Sequence, residues 1–234
     1  MSEAIKKQAF EVLQIEADAV LLLHERINET FFSAVKMISQ CSGKLIVTGI
    51  GKSGHIARKL ASTFSSTGTP AVYLHPAESA HGDLGIIGKD DVVLAISYGG
   101  ESRELVTVLN FLARKNIPLI SMTGKKESTL ARSARVVLDI SVKKEACPHN
   151  LAPTASSTAT LAFGDALAMC VLTEKGFRTE DFAEVHPGGS LGAKLVRIGD
   201  IMHKGDSLPL VNERTSIKEL LGIMTHKDVR GTAG

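Results

Sequence analysis

Five short runs of aliphatic and β-branched residues, KLIVTG (44–49), PAVYLH (70–75), DVVLAIS (91–97), IPLISMTG (117–124) and RVVLDI (135–140), recur between stretches of helix-forming composition broken by glycine and proline. Runs that are apolar at consecutive positions need cover on both faces. The alternation therefore predicts an α/β fold with a parallel sheet buried between helices. Upstream, residues 4–39 carry apolar side chains at helical spacing (Phe10, Leu13, Ala17, Val20, Leu21, then Phe31, Phe32, Val35, Ile38), with no glycine or proline before Gly43. This predicts one long helix or two abutting ones. A further long helix is expected over 154–175, with Thr154, Ser156 and Ser157 as cap candidates.

Ligands of such sheets sit beyond the carboxyl ends of the strands, so the loops that follow the runs hold the candidate functional residues. The first, Gly49-Ile50-Gly51-Lys52-Ser53-Gly54, has G-x-G-x-x-G spacing, but the next strand ends Tyr73-Leu74-His75 without the carboxylate a dinucleotide ribose needs. It is not a GxxxxGK[ST] phosphate loop either, because Ile46 stands where that pattern wants glycine. What remains is an anion site made of backbone N–H groups, the Ser53 hydroxyl and the Lys52 cation, or else a tight turn with a solvated lysine. SYGGESRE (97–104) repeats the arrangement, and two such loops at neighbouring strand ends would clamp one phosphate. Glu101 and Glu104 are either helix-capping acids or carboxylates that move substrate protons.

His75, His81, His149 and His186 lie in loops rich in glycine and proline. The spacing of His75, Glu78 and His81 is not the helical H-E-x-x-H pattern, so no structural zinc is expected. Glu145, among lysines after the fifth run, is a surface ion-pair partner or a site carboxylate, and nothing marks neighbouring Cys147 as an activated nucleophile.

Composition closes off other classes. The three cysteines have no paired spacing and read as reduced thiols of a cytoplasmic protein. A net charge of +2, 4% aromatic residues and no tryptophan argue against a nucleic-acid partner. No uninterrupted apolar run approaches the length of a membrane span, and the amino terminus lacks the pattern of a signal peptide. Membrane and export are not expected.

GIGKSGH, HPAESAHGDLG, SYGGESRE, KEACPHNLAPTASSTA and HPGGSLGAKL, occurring in that order, resemble the sugar-isomerase (SIS) domain family, and within it the bacterial arabinose-5-phosphate isomerases. The resemblance implies a three-layer αβα sandwich with a five-stranded parallel sheet over 1–197 and a homotetramer. It also implies interconversion of D-ribulose 5-phosphate and D-arabinose 5-phosphate for Kdo and lipopolysaccharide synthesis, with no cofactor. It assigns catalysis to Lys52, Glu104, Glu145, His81 and His186. Substrate contacts fall on Ser53, Gly68, Thr69, His75, His81, Ser97 and Ser102. No metal is required, and His75 is the position where a divalent ion would inhibit.

Two features depart from the family pattern. Where it commonly reads S-N-S-G, this chain has Ser97-Tyr98-Gly99-Gly100, which trades one phosphate-side hydroxyl for glycine. Residues 198–234 resemble the start of a CBS domain, and roughly 35 residues are too few to bury a core of their own. The expected chemistry is an aldose–ketose isomerisation through a cis-enediol. The alternative is a non-catalytic sugar-phosphate sensor of the same fold.

Overall fold

The computed structural model describes residues 2–186, 199, 202–208 and 210–226. The five apolar runs form strands β1 (Leu45–Gly49), β2 (Ala71–Leu74), β3 (Val92–Ile96), β4 (Leu119–Thr123) and β5 (Val136–Asp139) of one parallel sheet, ordered β2-β1-β3-β4-β5. The chain reverses its direction of travel across the sheet between β1 and β3, whose carboxyl ends are aligned by the pairing of Gly49 with Ile96. This is the crevice in which a doubly wound sheet holds its ligand.

Alternate residues of β1 to β4 supply two separate apolar clusters, which explains why those runs are continuous rather than alternating. Leu45, Val47, Leu94, Ile96, Ile120 and Met122 pack under α1 (Ser2–Leu21), α2 (Glu29–Ser39), α3 (Gly51–Ser66) and α6 (Ala155–Glu174). Ile46, Val93 and Ala95 pack on the other face, under α4 (Arg103–Lys115) and α5 (Thr129–Ser133). The result is the three-layer αβα sandwich expected from the sequence.

The amino-terminal helical region is two helices, parted by a 3-10 turn at Leu22–Arg26 and restarted by Asn28, whose side chain accepts the Thr30 N–H. Arg26, in that turn, reaches the end of β5, donating to the Asp139 carbonyl and to Ser141 Oγ. The periodic apolar residues of α1 are not all interior: Phe10 is 69% and Leu13 68% exposed, and Leu21 is exposed as well. The apolar stripe of α1 is wider than the strip it buries against α6, where only Ala19 is fully covered. Among the described residues α6 alone has the length and apolar composition of a membrane span. Half of that window is buried inside the protein, against α1, α2 and α3.

The chain divides into two compact units, Met1–Val185 and His186–Gly234. The first ends with α7 (Thr179–Val185). In the second, the described residues form a 3-10 turn at Gly205–Ser207 and α8 (Ile217–His226), and none of their side chains is fully buried.

Candidate active site

The turn from β1 into α3 is built for close approach. Gly51 has φ +59°, and a Cβ at Gly54 would lie 2.8 Å from the Gly49 carbonyl oxygen, so helix and strand touch backbone to backbone. Tyr73 braces this turn by donating its hydroxyl to the Gly49 carbonyl at 3.0 Å, with the Arg58 guanidinium 4.5 Å above its ring. Burial raises the Tyr73 hydroxyl pKa and Arg58 opposes the rise, so the phenol stays protonated as donor. Nothing in the motif pattern singled out Tyr73.

Helix amino termini need partners for their first N–H groups. The protein supplies them at α2 through Asn28, at α5 through Ser128 and at α6 through Glu145. At α3 and α4 no side chain caps the helix. Ser102, at the cap position of α4, instead shares a hydrogen bond with Ser97 Oγ at 3.1 Å, and Ser97 Oγ also accepts from the Gly100 N–H. Gly100 adopts φ +70°, and Ser128 Oγ fills the space a Cβ would take. Two adjacent strand ends therefore lead to two uncapped helix starts, one carrying Lys52 and Ser53 and the other Ser97 and Ser102. N–H groups, hydroxyls and one cation make this a candidate anion-binding edge.

Beside this edge is a cleft of about 210 Å³, lined by Ile50, Lys52, Ser53, Tyr98, Ser156 and Ser157, among others. The sequence marked Lys52 and Ser53 as site residues. It offered Ser156 and Ser157 only as helix caps and Tyr98 only as a departure from the family pattern.

Glu145 is not a surface ion-pair partner; it closes the amino terminus of α6. Its Oε2 accepts from the Thr154 N–H (2.8 Å), Thr154 Oγ1 (3.1 Å) and the Ser156 N–H (3.1 Å). Burial opposes its ionisation, but these bonds outweigh burial and hold the carboxyl below the usual carboxylate range. The neighbouring Lys144 pairs with Glu11 rather than with Glu145. Since Ser156 also lines the cleft, Glu145 stands directly behind that wall.

Glu104 lies exposed in the first turn of α4 and makes no hydrogen bond or ion pair among the described residues. Glu101 caps α5 rather than its own helix, accepting from the Thr129 N–H and Oγ1, and those bonds lower its pKa. His75 follows β2, its Nδ1 accepting the Ala77 N–H, and His81 ends the 3-10 turn Glu78–His81 with its ring exposed. No group of three or more metal-binding side chains gathers among the described residues.

Two expected positions fall elsewhere. Gly68 and Thr69 precede β2, at the amino edge of the sheet. The 16 residues of α3 carry the chain about 24 Å from Lys52 before reaching them. There Lys175 Nζ donates to the Gly68 carbonyl and to Thr69 Oγ1, and the Phe177 ring fills the space a Gly68 Cβ would take. Within one chain their observed partners are the end of α6 and the residues after it, not the anion edge. His186 opens the second unit, and Pro187 to Ser190 of its motif lie outside the described residues.

Comparison with known proteins adds to this geometry. Residues 37–170 match the SIS domain model. The chain is 51% identical over 220 residues to the Arabinose 5-phosphate isomerase KdsD of Shigella flexneri, covering 94% of this chain and 67% of that protein. It is also 51% identical over 214 residues to the protein of the same name from Pseudomonas aeruginosa, covering 91% and 66%. Among solved structures, the c3406 protein of E. coli CFT073 in complex with arabinose 5-phosphate superposes with a TM-score of 0.77 at 40% identity, over 80% of this chain and all of that one.

Proposed function

We propose, from the premise that this chain belongs to the SIS domain family, that it is an aldose–ketose isomerase interconverting D-ribulose 5-phosphate and D-arabinose 5-phosphate. One observation carries the reading. A chain half identical over 94% of its length to an Arabinose 5-phosphate isomerase leaves two neighbouring helix starts uncapped beside Lys52, where the phosphate of a sugar would bind.

With the phosphate on Ser53, Ser97, Ser102 and the free N–H groups, the carbonyl end of an open-chain sugar extends into the cleft. A base takes the proton from the carbon beside the carbonyl, giving a cis-enediol. The same proton equivalent returns to the neighbouring carbon, while a second proton passes between the two oxygens. Lys52 stabilises the developing enediolate oxygen. Glu104 is the carboxylate with free lone pairs, and His81, His186 and Oε1 of Glu145 complete the candidate acids and bases. The chemistry calls for no cofactor or metal, and His75 is where a divalent ion would act as inhibitor.

The exposed apolar stripe of α1 supports assembly into a homotetramer. The reading also puts the enzyme in the cytoplasm, supplying Kdo and lipopolysaccharide synthesis, with 198–234 as a CBS-like segment or a tail after a SIS domain at 1–197. A sugar-phosphate sensor would need the phosphate clamp alone, and the reactive Lys52, Glu104 and Glu145 beside it favour the enzyme.

Incubating the full chain with D-arabinose 5-phosphate in deuterated buffer tests this. Ribulose 5-phosphate carrying deuterium at the exchanged carbon is the expected product. Binding without turnover would overturn the isomerase in favour of the sensor.

A further inference from the structure

We propose that Tyr98 sets the length of sugar phosphate the cleft admits, as a specificity-determining wall. The inference rests on the isomerase reading and deepens it. Tyr98 shares the cleft with Lys52 and Ser53, and its side chain is held at two points, the ring by Gly124 and the hydroxyl by Val142. Its face lies on the Gly124 backbone so closely that a Cβ there would come 2.6 Å from Cε2, which only glycine allows. Its carbonyl accepts from the Gly124 N–H at 2.9 Å and from Thr123 Oγ1 at 3.1 Å. Its hydroxyl accepts from the Val142 N–H at 3.2 Å.

The side chain thus joins the exits of β3, β4 and β5, and the last of these leads within three residues to Glu145. A ring packed on Gly124 and tied at its hydroxyl, on a backbone anchored to Thr123 and Gly124, has little room to retreat. With the phosphate held at the helix starts, the space left for the sugar is bounded by this wall. A chain longer by one hydroxymethylene has to displace the ring or stay out. Discrimination of this steric kind, built by excluding the larger ligand, is typically worth ten- to two-hundredfold per methylene-sized group.

The test uses the full chain and two probes, D-arabinose 5-phosphate and D-glucose 6-phosphate, with dissociation constants from calorimetry and turnover recorded alongside. In Tyr98→Ala the preference for the five-carbon probe should shrink about tenfold. In Tyr98→Phe, which keeps the ring on Gly124 and gives up only the Val142 contact, it should stay within about threefold of the parent. If Tyr98→Ala fails to fold, Tyr98→Leu should shift the preference in the same direction. An unchanged preference in the Ala or Leu variant overturns the proposal, and so does a Phe variant that shifts it as far. A parent that binds the probes without isomerising either refutes the isomerase reading while the preference still decides the wall. A parent that binds neither overturns both.

Discussion

Glu104 and Glu145 stand at the same edge of the sheet under opposite conditions. Glu104 has no partner among the described residues, so Glu104→Gln should lower kcat by about 10² to 10⁴, as loss of a proton-transfer group typically does, while leaving the urea midpoint in place. Glu145→Gln should lose activity and stability together, since it removes the charge from the start of α6. Its folded-state pKa is lowered, so the stability it contributes is complete above the ordinary glutamate value of about 4.3 and is lost as pH falls through the folded value. Urea midpoints measured from pH 6 down to pH 3.5 should therefore fall less steeply in Glu145→Gln than in the parent. Gly99 carries no such constraint, because a Cβ there meets nothing within 4 Å. Gly99→Ser should restore a clamp hydroxyl and lower KM roughly three- to tenfold, as one added solvent-accessible hydrogen bond typically does. An unchanged KM would place position 99 away from the phosphate. Lys52, Ser53, Ser97 and Ser102 could be picked out as candidates in the sequence because their loops follow recognisable strands. The anchoring of Glu145 was not, since its partners lie nine and eleven residues further along and meet it only through the start of α6.

The strands read true to within a residue or two because a sheet covered on both faces keeps polar residues few and small in its sequence, as with Thr48 and Ser121. The break between α1 and α2 was harder to see, for it uses Asn28 and a 3-10 turn rather than glycine or proline. Gly68 and Thr69 were named through the family resemblance alone, and the length of α3 decides which edge of the sheet they reach within one chain. The contact of α3 with β1 is the element on which the anion edge depends. Gly54→Ala would push a methyl to 2.8 Å from the Gly49 carbonyl, a backbone atom with little room to yield. A cost of about 1–3 kcal/mol in urea unfolding is expected for such overpacking. A matching loss of affinity for inorganic phosphate should accompany it, as the start of α3 moves away from the strand.

The division of the chain after Val185 carries the largest-scale prediction. A chain cut there keeps the sheet, both apolar clusters and the whole anion edge. It should unfold in one cooperative transition and still bind phosphate. If His186 takes part in the chemistry, the cut chain loses turnover by the same factor as His186→Ala in the full chain, whereas equal turnover in cut and full chains would exclude that histidine. The packing of α1 on α6 has a further consequence, in time rather than in energy. α1 rests on a helix that begins at residue 155, and at roughly 5–20 residues per second the wait between the two is on the order of ten seconds. Through that interval α1 lacks the surface on which it packs in the finished molecule, and its apolar side stays uncovered until α6 arrives.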